Sequence, residues 1–145
     1  MNKYYSEDAL ELGAVKVGQE LTHLEKEPTL VDVVRFCAAI RNFHRFHFDQ
    51  EFIQQHGIDG NIVPGFLTGN WCIEAVSRSF GAGHEISSLK FRNIATAPVG
   101  NHYRITGTVK ELNAENNGAI TCEVTVTDVS ADKPVTTATV GLRQR

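Results

Sequence analysis

Two hydrophobic periods meet in this chain, and the change from one to the other limits what it can fold into. From about Thr29 to Phe80 the apolar residues recur at helical spacing, and from about His84 to Leu142 they alternate with period two. Leu30, Val33, Val34, Cys37, Ala38 and Ile40 give a first helical face behind Thr29, an N-cap residue type, and this helix should end near Asn42. A short helix over about Gln50 to Gln55 should stop at Gly57, with Asp49 at its cap position. Pro64 suits the first position of a third helix, where its missing N–H costs nothing. Phe66, Leu67, Trp71, Cys72, Ile73, Ala75, Val76 and Phe80 make that helix apolar around much of its girth, so protein should wrap it.

Four strands should follow. The first runs over about Glu85 to Ile94, and Ala97-Pro98-Val99-Gly100 is the turn after it. The second covers about His102 to Leu112, with Tyr103, Ile105, Gly107 and Val109 on one face. Asn116-Asn117-Gly118 is a hairpin signal. Ile120, Cys122, Val124 and Val126 alternate in the third strand, and Ala138, Val140 and Leu142 in the fourth, after a turn around Asp132-Lys133-Pro134. Gln19 to Lys26 is a weaker strand candidate. Each element hides its apolar side in the other, which gives α+β: an antiparallel sheet wrapped around a long central helix. Residues 1–145 read as a single domain, with 1–19 a loose arm or an arm packed on a partner.

Composition narrows the function classes. At 145 residues with 41% hydrophobic and 21% charged residues, the chain has the makings of one core. A net charge of -3 offers no basic face for nucleic acid, and no apolar run approaches the length of a membrane span. Met1 to Asp8 lacks an apolar signal core. Cys37, Cys72 and Cys122 are far apart and form no CxxC pair, so buried thiols in a reducing, cytoplasmic setting are expected in place of zinc or disulfides.

The chemistry-bearing residues concentrate in Asn42-Phe43-His44-Arg45-Phe46-His47-Phe48-Asp49, followed by Ile62-Val63-Pro64-Gly65-Phe66-Leu67. An imidazole titrates near working pH, which makes His47 the first candidate for acid/base work, with a capping or surface histidine as the alternative. Asn42 cannot act as a base, but its amide can hold a water. Asp49 is either a helper or a helix cap, and His44 either a helper or an ordinary loop histidine. Gly65 either offers the first free N–H of the third helix, at the positive end of its dipole, to a bound oxygen, or with Pro64 merely starts the helix. Phe43, Phe46, Phe48 and Phe66 are either walls of an acyl tunnel or plain core. Arg45, Lys90, Arg92 and Arg104 are either phosphate contacts or solvated surface.

This order of elements is that of the hotdog fold, and the chain resembles the MaoC-like dehydratases, which include the (R)-specific enoyl-CoA hydratases. Their hallmark D-x-N-P-x-H places its histidine on His47, and an acid common two residues later falls on Asp49. Ile62-Val63-Pro64-Gly65-Phe66-Leu67 matches the I-V-H-G-x-L opening of the family's central helix. Ser88-Leu89-Lys90-Phe91-Arg92 and Ala97-Pro98-Val99-Gly100 match its K-F-R strand and P-V-x-x-G turn. The hallmark aspartate falls on Asn42, its asparagine on His44, its proline on Arg45, and the histidine before the helix glycine on Pro64. His44-Arg45-Phe46-His47-Phe48-Asp49 is similar to the N-x-H-R-I-H-Y-D version found in methylfumaryl-CoA hydratase-like members.

The resemblance implies an (R)-specific enoyl-thioester hydratase, or in reverse a 3-hydroxyacyl-thioester dehydratase. It assigns His47, Asn42 and Gly65 to catalysis and Asp49, His44, Arg45, Phe46, Pro64, Phe66 and Arg92 to substrate binding. No metal or other cofactor is implied beyond the coenzyme A or carrier-protein arm that brings the acyl group. One hotdog unit per chain implies a homodimer or higher oligomer, or a hetero-pair. An acyl-thioester hydrolase on the same fold and a non-catalytic acyl-binding subunit are the competing readings.

Overall fold

A computed structural model describes residues 9–113 and 118–145. The first helix, α1 (Leu30–Ile40), opens on a reciprocal cap. The Thr29 hydroxyl accepts from Asp32 N at 3.2 Å, and the Asp32 carboxylate accepts from Thr29 N at 2.9 Å. It closes at Arg41, whose left-handed φ of 56° turns the chain so that Asn42 N–H reaches back to the Cys37 carbonyl at 2.9 Å. Only Val33 and Cys37 of its expected apolar face are buried; Leu30, Val34, Ala38 and Ile40 are exposed, because the helix touches the body along a narrow stripe. The short α2 (Gln50–Gln55) follows, capped by Asp49.

The long helix α3 (Gly65–Phe80) starts one residue later than expected: Pro64, with ψ of 135°, is the cap and Gly65 the first helical residue. Thr68, Trp71, Cys72, Ala75, Val76 and Ser79 make up most of its buried face, at spacings of three and four. Of its other residues only Phe66 and Asn70 are exposed, so protein wraps most of its girth as expected. Gly81, at φ of 72°, ends it.

The sheet is antiparallel, in the order β1 (Leu24–Lys26), β3 (Tyr103–Asn113), β4 (Ala119–Asp128), β5 (Lys133–Gln144), β2 (His84–Asn93). The inward residues of β3 to β5 are those the alternation predicts: Tyr103, Ile105, Val109, Ile120, Cys122, Val124, Val126, Ala138, Val140 and Leu142 are all buried. Register shifts between Ile86 and Ser88, Val109 and Glu111, and Val126 and Thr127 mark irregularities of the kind that bend strands. The sheet so curled closes over the buried face of α3, which is the hotdog arrangement.

Three local expectations change. The first strand shrinks to Leu24–Lys26, preceded by a lone bridge between Glu20 and Thr108. Lys133 and Pro134 belong to β5, and of the three residues only Asp132, at φ of 49°, lies in the turn over 129–132; a proline is tolerated there because it opens the strand beside a register shift. Residues from Ala9 onward are not a loose arm: Leu10 N–H bonds the Ser79 carbonyl at 2.7 Å, Gly18 N–H bonds the Val109 carbonyl at 2.8 Å, and Val15 is buried. Asn116 and Asn117 of the expected hairpin turn lie outside the described residues.

All three cysteines are free and buried. Burial pushes the Cys72 and Cys122 thiols up to about 12 and raises that of Cys37. They are core residues rather than nucleophiles. Among the described residues no helix is long and apolar enough to cross a membrane.

Candidate active site

Two chain reversals bring the singled-out segments together. After α1, a single 3-10 turn (Arg45–His47) is capped by His44, whose Nδ1 accepts from Phe46 N at 3.4 Å. Ile62, three residues before α3, is tied twice to this turn. Its N–H donates to the Phe46 carbonyl at 3.1 Å, and its carbonyl accepts from His47 Nδ1 at 2.8 Å. On the other side, Val63 N–H bonds the Ala97 carbonyl at 2.8 Å and Val99 N–H the Asn61 carbonyl at 2.9 Å. The opening of α3 is thus clamped between the His47 turn and the loop after β2.

The bond to Ile62 decides the histidine tautomer. A carbonyl only accepts, so Nδ1 carries the hydrogen and the neutral ring has its lone pair on Nε2. Asn42 Nδ2 donates to that lone pair at 3.4 Å, a long and weak contact that a water can replace. Asn42 Oδ1 in turn accepts from His44 N at 3.3 Å.

His47 borders a cleft of about 360 Å³ lined also by Ile62, Val63, Gly65 and Thr68 from the start of α3, by Asn93 to Ala97 from the end of β2, and by Thr136. Leu67 and Thr68 N–H both go to the Pro64 carbonyl, and no acceptor is found for Gly65 N–H among the described residues. At Gly65 the helix also lies tight against the sheet: a methyl group added there would lie 1.9 Å from Asn93 Nδ2. One turn on, a methyl at Gly69 would lie 3.2 Å from the Phe91 ring. The two glycines of α3 therefore accept the two inward side chains at the end of β2.

The remaining candidates lie outside this cleft. Both carboxylate oxygens of Asp49 are engaged, Oδ1 by Phe52 N at 3.0 Å and Oδ2 by Arg45 at 2.7 Å. The Phe52 N–H and the Arg45 guanidinium hold that carboxyl below its ordinary range. Arg45 also lies over the Phe52 ring, 4.3 Å from its centroid. Phe46 stacks with Phe52, His56 and His44. Phe43 is 66% and Phe66 62% exposed, and Phe48 is exposed too, so the four phenylalanines do not converge on a tunnel. Lys90 and Arg92 alternate with inward Phe91 and line a separate groove on the far side of the sheet. Arg104 is paired with Glu25. Pro64 caps the helix without lining the cleft.

The sequence reading passed over Thr68, Asn93 and Thr136. Thr136 Oγ1 donates to Asn93 Oδ1 at 2.9 Å, Thr68 Oγ1 lies 3.2 Å from the same oxygen, and the two hydroxyls are 2.8 Å apart. Both threonines are 1% exposed. Among the described residues no group of three or more His, Cys, Asp or Glu side chains is placed to hold a metal ion.

Residues 7–101 match the sequence family described as hydroxyacyl-thioester dehydratase type 2. The chain belongs to this family. Solved structures place the dehydratase fold in company. The ChsH1-ChsH2 complex from Mycobacterium tuberculosis has a chain 23% identical, over 90% of this chain and 98% of that one, with a TM-score of 0.80. An (R)-hydratase from A. caviae involved in PHA biosynthesis is 19% identical over 91% and 98%, with a TM-score of 0.84. The R-hydratase PhaJ1 from Pseudomonas aeruginosa is 18% identical over 92% and 84%, with a TM-score of 0.83. No curated protein sequence matches the chain. Membership of a hydroxyacyl-thioester dehydratase family and the hotdog fold, expected from the motifs, both hold.

Proposed function

We propose that the chain adds water in the (R) sense to an enoyl thioester, and in reverse dehydrates a 3-hydroxyacyl thioester, with His47 as the only proton carrier. The observation that carries this reading is the shared cleft wall, to which both His47 and Gly65 contribute. Family membership supplies the hydro-lyase class.

Addition requires a water to lose a proton while its oxygen bonds the β-carbon, and the α-carbon to gain one. A water that replaces the 3.4 Å contact of Asn42 with Nε2 is hydrogen-bonded by the ring and held by the Asn42 amide. Its proton passes to Nε2 as the C–O bond forms. The imidazolium is stabilised through Nδ1–H by the Ile62 carbonyl. The electron pair displaced from the double bond collects on the thioester oxygen, where Gly65 N–H meets it. Nε2–H then delivers the proton to the α-carbon, and the ring returns to its starting tautomer. Both additions come from the ring's side, so the addition is syn.

Hydration of crotonyl-CoA, followed as loss of enoyl absorbance with the product resolved as the (R)-3-hydroxyacyl thioester, tests the reading. Release of free thiol in place of hydration would establish a hydrolase instead. Asn42→Asp should keep or raise the hydration rate: a carboxylate at this place accepts from a protonated Nε2 where the amide donates to a bare one, and adds a second proton-bearing group. An inactive Asn42→Asp protein would show that the amide itself is required.

The partner side of the reading rests on the sheet. β2 has a neighbour, β5, on one side only and runs for 10 residues, an edge that seldom stays uncovered. Two copies joined through β2 would cover it and close the cleft at the end of that strand. Sedimentation of the pure chain at micromolar concentration should give twice the mass of one chain, and a monomer would remove this element. Acyl-CoA and acyl-carrier protein both supply the required thioester. The buried free thiols fit a reducing, cytoplasmic compartment.

A further inference from the structure

We infer that Asn93 is a second hydrogen-bond donor to the thioester oxygen, beside Gly65; this rests on the hydratase reading above. Asn93 closes β2 and shares its inward face with Phe91, two residues earlier. Phe91 packs on Gly69 and Asn93 on Gly65, so strand spacing of two matches helix spacing of four. That register puts the side-chain amide at the first residue of α3, where the free backbone N–H is.

The amide is held in one orientation. Its Oδ1 points inward, accepts from the Thr136 hydroxyl at 2.9 Å and lies 3.2 Å from that of Thr68, which also has the Gly65 carbonyl at 2.9 Å. Two buried hydroxyls in a helix–sheet seam are costly unless bonded. The bond of Thr136 to Oδ1, and the acceptors that Thr68 has in the Gly65 carbonyl and the Thr136 hydroxyl, meet that cost. With Oδ1 so engaged, Nδ2 must face Gly65 and the cleft. Among the described residues it meets no acceptor. The result is an NH2 group fixed in advance of any substrate, which is the condition for a donor to act on charge that appears only in the transition state.

When water oxygen bonds the β-carbon, the π electrons of the enoyl group move to the thioester oxygen. Gly65 N–H and Asn93 Nδ2–H both donate to it. When His47 returns the proton to the α-carbon, the electrons fall back into the carbonyl and the two bonds relax. Asn93 consumes and releases nothing; it lowers the energy of the charged intermediate state. A side chain that only filled space there would change stability or KM and leave the chemical step alone.

The test is the steady-state hydration of crotonyl-CoA by the unsubstituted protein, Asn93→Ala and Asn93→Asp. Asn93→Asp keeps shape and inward acceptor but has no NH2. Both variants should lose about a hundredfold or more in kcat, the scale of removing one oxyanion donor, with KM within about threefold. Should Asn93→Ala fail to fold, Asn93→Ser, which keeps an oxygen for Thr136 to donate to, carries the same expectation. A folded variant without the NH2 that retains kcat within about threefold of the unsubstituted protein overturns the inference and leaves the hydratase reading standing. An unsubstituted protein that does not hydrate the thioester overturns the hydratase reading itself, and the inference with it.

Discussion

His47→Ala should lower the hydration rate at least about a hundredfold, the lower end of what a positioned acid/base supplies. In free energy that is about 2.7 kcal/mol of transition-state stabilisation. The expectation is severe because the described cleft offers no substitute. Asp49 spends both oxygens on Phe52 and Arg45, and the His44 ring caps its own turn. Asn42 has no proton to exchange at ordinary pH. The fall should appear in kcat, since the ring handles a proton in transit and adds little to ground-state binding. The fold should survive, because His47 is only partly buried and its one firm bond, to Ile62 O, is seconded by Ile62 N to Phe46 O. Rates measured on a variant with unchanged circular dichroism decide the matter, and an alanine variant within tenfold of the parent would reject the role.

Gly65→Ala should be nearly as damaging, by a different route. The backbone at Gly65 is ordinary helix, so no conformational strain arises. The cost is steric, since the new methyl would sit 1.9 Å from Asn93 Nδ2. Asn93 must swing off its threonines, or α3 must draw back from β2. Either response costs about 1 to 3 kcal/mol as overpacking. Either also shifts the donors by a sizeable fraction of an ångström, a misplacement that can lower a rate about a hundredfold. Gly69→Ala serves as the comparison: its methyl meets the Phe91 ring at 3.2 Å, away from the polar groups, and should cost stability with far less activity. Thermal midpoints and kcat on both variants separate the effects. Equal activity loss at the two positions would show that helix–sheet spacing alone matters and that Gly65 has no private part in the chemistry.

Most of the architecture was legible because it depends on local patterns. Thr29 with Asp32, and Asp49 before α2, are cap signatures whose bonds close within three residues. The inward residues of β3, β4 and β5 follow from period two alone. His47 and Gly65 were singled out by the imidazole's titration range, by the first free N–H a helix opening on Pro64 can offer, and by the hallmark motif. The aromatic cluster misled for a related reason: four phenylalanines in a short span say that apolar surface exists, but not where it points. Phe46 turned toward Phe52 and His56, while Phe43 and Phe66 turned out to solvent. The girth of α3 read true, since all of its residues but Phe66 and Asn70 are buried or half-buried.

What the chain alone determined is the order of its elements, their caps and the faces they bury, since each rests on residues a few positions apart that any fluctuating segment can already sample. What only the tertiary structure decided is which side chains share the cleft. Thr68, Asn93 and Thr136 are separated by 25 and 43 positions and meet through the register of one helix against two strands. The tautomer of His47 rests likewise on a carbonyl 15 positions away. Such contacts leave no periodic trace, because a hydrogen bond between distant groups constrains two atoms and not the spacing of residues between them.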